Sequence, residues 1–146
     1  MKPVRTVGVV GILLVLVAVA AGLVPAFNNC SAGGAMLTLT TGKTVPMKCY
    51  WTAQASIATA LPLALLGILL FFSRRKETQR ALAILAAGLG VVLILLPTYL
   101  IGTCASYEMI CNLIEKPTMI GLGIVTIALA AVVVFITMRP ERESAE

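Results

Sequence analysis

The sequence predicts an all-α membrane protein: a four transmembrane helix bundle with a small extracytoplasmic β-hairpin loop. Three observations predict it. Of the 146 residues, 60% are hydrophobic and only 12% are charged, against about a quarter charged in a soluble domain. The apolar residues fall into four runs, each long enough for the roughly 20 residues that cross a hydrocarbon core. The basic residues stand beside those runs and form no separate polar face, so the formal charge of +5 orients the chain in a bilayer and does not call for nucleic acid.

The runs cover about residues 7–27, 51–72, 81–102 and 118–138, making residues 1–146 a single integral membrane domain. Lys2 and Arg5 precede the first run as in a secretory signal, but its apolar core is too long for one. Pro25, Pro62 and Pro97 interrupt three of the runs. Each frees a backbone carbonyl and tends to bend its helix, so kinks near the outer ends of spans one and three would splay the bundle. Gly67, Gly88, Gly90, Gly121 and Gly123 are small residues suited to close helix packing.

Charge sets the orientation. Lys2, Arg5, Arg74, Arg75, Lys76, Arg80, Arg139 and Arg142 share one set of ends, whereas Lys43, Lys48 and Lys116 share the other. The positive-inside rule makes both termini and loop 73–80 cytoplasmic and leaves loops 28–50 and 103–117 outside. In the first outer loop, residues 36–40 alternate apolar and polar, TTGK forms a turn, and residues 44–48 return as a strand limited to an edge by Pro46. This hairpin is expected to sit on the helices as a lid. In the second loop Glu108 and Glu115 are the outer acids, each expected in water or against a partner, and Pro117 reads as the first turn of the fourth span.

All four cysteines, Cys30, Cys49, Cys104 and Cys111, lie in the outer loops. An oxidising envelope or secretory lumen would convert them to disulfides, with three connectivities open. Pairing Cys30 with Cys49 and Cys104 with Cys111 would close each loop on itself. A redox enzyme of the thiol-oxidising kind would use a C-x-x-C pair, and the closest spacing here is seven positions. The methionines Met36, Met47, Met109 and Met119 raise a soft-metal reading, against which stands their use as gap fillers under loops.

The boundary MKCYW, residues 47–51, combines head-group markers with a sulfur. Lys48, Tyr50 and Trp51 suit the lipid interface, and Cys49 ties the helix start to the hairpin. Below them Thr52, Ser56 and Thr59 fall at i, i+4 and i+7 on one stripe, with Gln54 offset. Polar groups at that depth should face the bundle or a partner. Met47, Tyr50, Trp51, Thr52, Gln54, Ser56, Thr59, Met109 and Glu108 are therefore the candidate ligand or partner residues. The chain has no His and no Asp, which removes the usual general bases, triads and histidine metal sites.

The string MKCYWTAQA, together with IGTC, a following Met-x-Cys and KPTM, resembles a family of small bacterial four-span membrane proteins catalogued as domain of unknown function 4418. The family pattern often has a histidine where this chain has Tyr50, so a ligand role there would be lost or altered. The resemblance implies a bacterial setting in the cytoplasmic membrane and, by association, companionship with export-type ABC transporters. The expected function is a non-enzymatic accessory or interaction subunit with disulfide-stapled outer loops and no cofactor, its partner an ABC transporter permease or another copy of itself. The alternatives are a thiol-disulfide redox enzyme, or a binder of a lipid, haem or soft metal at the outer leaflet using Met36, Met47, Met109 and Tyr50.

Overall fold

The computed structural model describes residues 3–28, 36–103, 108 and 111–138. Four long helices are α1 (Pro3–Phe27), α2 (Lys48–Phe72), α3 (Lys76–Leu95) and α4 (Lys116–Met138). A π-helical turn, Leu96–Leu100, extends α3, and another, Cys111–Glu115, leads into α4. At about 1.5 Å per residue, the 25 residues of α2 reach some 37 Å. That exceeds the hydrocarbon thickness of a bilayer, about 30 Å. All four helices are long and apolar enough to cross a membrane.

The helices form two antiparallel hairpins, α1 with α2 and α3 with α4, and the pairs meet less intimately along α2–α3 and α1–α4. Glycine sets the intimacy within each pair. A Cβ on Gly67 would lie 2.8 Å from the Gly11 carbonyl oxygen, and one on Gly123 would lie 2.7 Å from that of Gly90. The backbones touch at those points, as small residues permit between membrane helices. Gly88 and Gly121, expected at such contacts, face open space instead, and Gly11 takes a contact that the sequence did not single out. The two crossings lie at different depths: Gly11–Gly67 is near the end where α1 begins, Gly90–Gly123 near the middle.

A three-residue turn, 73–75, joins α2 to α3. There Gln79, almost fully buried, donates from Nε2 to the Ser73 carbonyl at 2.7 Å. This turn, the start of α1 and the end of α4 share one end of the bundle, the turn end. The opposite, loop end carries the strands β1 (Leu37–Thr38) and β2 (Thr44–Val45), paired antiparallel with Leu37 opposite Val45. Gly42, at φ 77, takes the left-handed conformation that the turn requires. The expected hairpin is thus present but shorter, and residues 36–45 are all exposed, so no side chain of it is buried as a lid would be.

The main core is an apolar cluster drawn from all four helices, with Leu14, Leu63, Leu93 and Val133 among its buried members. Side chains outside that cluster, such as Leu16, Leu61, Leu85 and Phe135, are exposed and form the apolar outer surface that a bilayer solvates. Between α2 and α3 runs an apolar groove of about 660 Å³, lined by residues that include Pro62, Leu66, Gly88 and Leu89.

Candidate functional site

The residues singled out in the sequence converge at the loop end. Cys49 occupies the first turn of α2 and Cys111 opens the π turn before α4. Both are fully buried in one cluster, with Met47 packed against them. The cysteines that end the two Met-x-Cys segments of the sequence thus come to the same place. Among the described residues no two cysteine sulfurs stand at disulfide distance, and no three His, Cys, Asp or Glu side chains gather as metal ligands would. Cys30, Cys104 and Met109 lie outside the described residues.

The polar stripe divides according to the face each residue occupies. Thr52 and Ser56 are fully buried, and Thr59 is half-buried. Thr52 donates to the Gly102 carbonyl at 2.8 Å, linking α2 to the segment that follows the first π turn. Gly102 holds φ 80, a backbone that glycine accepts readily. Ser56 and Thr59 bond back to carbonyls of their own helix, at 2.8 Å to Thr52 and 2.7 Å to Ala55. Interhelical bonding, the ordinary expectation for such a stripe, is met by Thr52, while the others satisfy themselves locally.

Gln54 is exposed, on the outward face of α2 with Trp51, Ala58 and Leu61. Tyr50 is half-buried and meets Trp51 edge to face, with ring centroids 5.6 Å apart. Glu108 is exposed, as expected for a solvated acid.

Glu115 departs from its expectation. The sequence places it in a watery turn, but the helical conformation starts at Cys111, and Glu115 is fully buried with neither carboxylate oxygen hydrogen-bonded. The reason is periodicity. Cys111, Glu115 and Met119 follow at i, i+4 and i+8, and Gly123 continues the row; all are buried. Pro117 stands in the first turn of α4, as read, but the π turn Cys111–Glu115 runs directly into it. The four-residue spacing on the apolar stripe is the signal that could have found this acid. It closes the same π-helical turn that Cys111 of the cysteine cluster opens.

A family model for a domain of unknown function matches residues 8–136, nearly the whole chain and all four spans. The chain belongs to the DUF4418 family. DUF4418 membership agrees with the resemblance carried by the cysteine-bearing boundaries, and both Met47–Lys48–Cys49 and the Cys111–Glu115–Met119 row fall inside the matched region. Comparisons with curated proteins and with solved structures find no match for this DUF4418 chain.

Proposed function

We propose that the protein is a non-enzymatic accessory subunit of a larger membrane complex, held through the outward face of α2 near the loop end. Gln54 carries this reading. Its amide projects from a membrane-spanning helix toward the surroundings of the bundle, while the neighbouring hydroxyls of Thr52 and Ser56 are satisfied inside. An amide facing lipid is costly, and a hydrogen-bonding group on another helix removes that cost. Ala58 beside it lets a partner backbone approach, and exposed Trp51 adds contact area at head-group depth. The occupant is a helix of a different membrane protein, an ABC transporter permease being the kind implied by the family resemblance.

In this reading the loop end faces outward from a bacterial cytoplasmic membrane, with both termini cytoplasmic as the basic residues demand. Purification in mild detergent followed by native mass spectrometry should show a stoichiometric membrane partner, released by Gln54→Leu and retained by Gln54→Asn. A monomer or homo-oligomer from the native membrane, or a partner indifferent to Gln54→Leu, overturns the proposal.

Glu115 supports a second reading, a small-ligand binder at the loop end. A buried carboxyl without a partner suits a cationic or hydrogen-bond-donating guest. The sulfurs of Met47, Cys49 and Cys111 add the donors that a soft metal ion takes. Elemental analysis and absorption spectra of native material test for metal or haem, and loss of the species in Glu115→Gln would place it. Thiol-disulfide exchange with a client is the less favoured chemistry, because complete burial of both thiols suits a structural pair better than an exchanging one.

A further inference from the structure

We infer that Cys49 and Cys111 form a disulfide that joins the two helical hairpins at the loop end, a covalent link across the bundle in place of one within each loop. The inference needs no partner and no ligand, and so stands apart from the accessory-subunit function proposed above; by consuming both thiols it is incompatible with the soft-metal reading.

Three observations carry it. The two cysteines are completely buried in one cluster, and Met47 is the half-buried apolar residue packed against them. They occupy corresponding places, each ending a Met-x-Cys segment and opening the helical part of an even-numbered span. Their meeting point lies where the fold is least tightly joined, since α1 packs chiefly on α2 and α3 chiefly on α4. The hydrogen bond from Thr52 to the Gly102 carbonyl crosses the same junction between α2 and the end of the third span. A bond there adds a tether where glycine contacts do not, whereas a link within one loop would leave the hairpins free to part.

The chemistry balances simply. Two S–H bonds break and one Sγ–Sγ bond forms, and the two electrons and two protons pass to the disulfide of a thiol oxidase, which becomes a dithiol. Once formed, the bond lies out of water and away from exchanging thiolates, conditions under which disulfides persist. With this pair made, only Cys30 and Cys104 remain among the four cysteines. The two loop-closing pairs are then excluded.

A site-specific protease sequence inserted between Ser73 and Arg74 tests the link in the full chain. These residues form the short turn between the hairpins, and Arg74 is exposed. After thiols are blocked at lysis and the turn is cut, the two fragments should run together on a denaturing gel and separate only when reductant is added. The same should hold in Cys30→Ser/Cys104→Ser, where Cys49 and Cys111 alone can pair. Peptide mapping of the uncut wild-type protein without reduction covers the case in which that variant fails to fold, and should yield Cys49 joined to Cys111. Fragments that separate without reductant overturn the inference. So does a map linking Cys30 to Cys49 or Cys49 to Cys104, or one recovering Cys49 and Cys111 as blocked thiols.

Discussion

Replacing Gly67 by alanine tests the claim that the first hairpin is built on backbone contact. The added methyl would lie 2.8 Å from the Gly11 carbonyl oxygen, 2.9 Å from Val15 Cγ2 and 3.0 Å from the Val15 nitrogen. Two of those three neighbours are backbone and cannot rotate away. Carbon settles against such atoms at about 3.5 Å or more, so α1 and α2 must part by roughly half an ångström. A gap of that size forfeits about a quarter of the dispersion energy of every pair along the contact. Overpacking of this kind typically costs about 1–3 kcal/mol. Gly88→Ala is the matched control, because a Cβ there meets nothing within 4 Å. Alanine's helix propensity should then add up to about 1 kcal/mol of stability. Unfolding titrations in mixed micelles, followed by circular dichroism, give both values on one scale. If Gly67→Ala is as stable as Gly88→Ala, the close approach of α1 to α2 is wrong.

Glu115→Leu should stabilise the protein by about 1–3 kcal/mol in the same titration, since it removes a buried carboxyl that has no hydrogen bond; a loss of stability would reveal a partner for the acid. Thr52→Val keeps the side-chain shape but orphans the Gly102 carbonyl now bonded at 2.8 Å. It should cost about 1 kcal/mol, and an unchanged midpoint would remove the bridge from α2 to the end of the third span. Gln79→Leu should destabilise by a similar amount, about 1 kcal/mol, by freeing the Ser73 carbonyl in the turn; equal stability would mean that water replaces the amide. For orientation, a cysteine at position 74 in a background without other cysteines should resist a membrane-impermeant maleimide in sealed cells and react after permeabilisation. Labelling of intact cells would reverse the assigned sidedness.

The four spans and the hairpin were legible in the chain because they depend on local quantities. Mean hydropathy over about twenty residues reports whether a helix can leave water, and alternation around a TTGK turn reports a strand pair. The π turn ahead of the fourth helix was not legible. Pro117 fits the first turn of a helix, yet a π turn places Cys111 and Glu115 in helical conformation before it. Once that turn forms, the four-residue spacing carries Glu115 inside, against the ordinary preference of a carboxylate for water.

Which apolar face meets which was also beyond local reading. Gly67, Gly88, Gly90, Gly121 and Gly123 look equivalent in sequence, because glycine in an apolar helix has no periodic polar partner to mark its side. Tertiary packing separates them: Gly67, Gly90 and Gly123 take backbone contacts, and Gly88 and Gly121 do not. The same holds for Thr52 and Gln54, two residues apart on α2 and therefore turned about 200° from each other. One closes a bond to Gly102 and the other faces away from the bundle. Hydropathy alone determined that this chain crosses a membrane four times, because transfer into lipid is a sum over single residues. Only packing decided that Cys49 meets Cys111 and that Glu115 is shut inside, because those outcomes depend on how four similar helices rotate against one another.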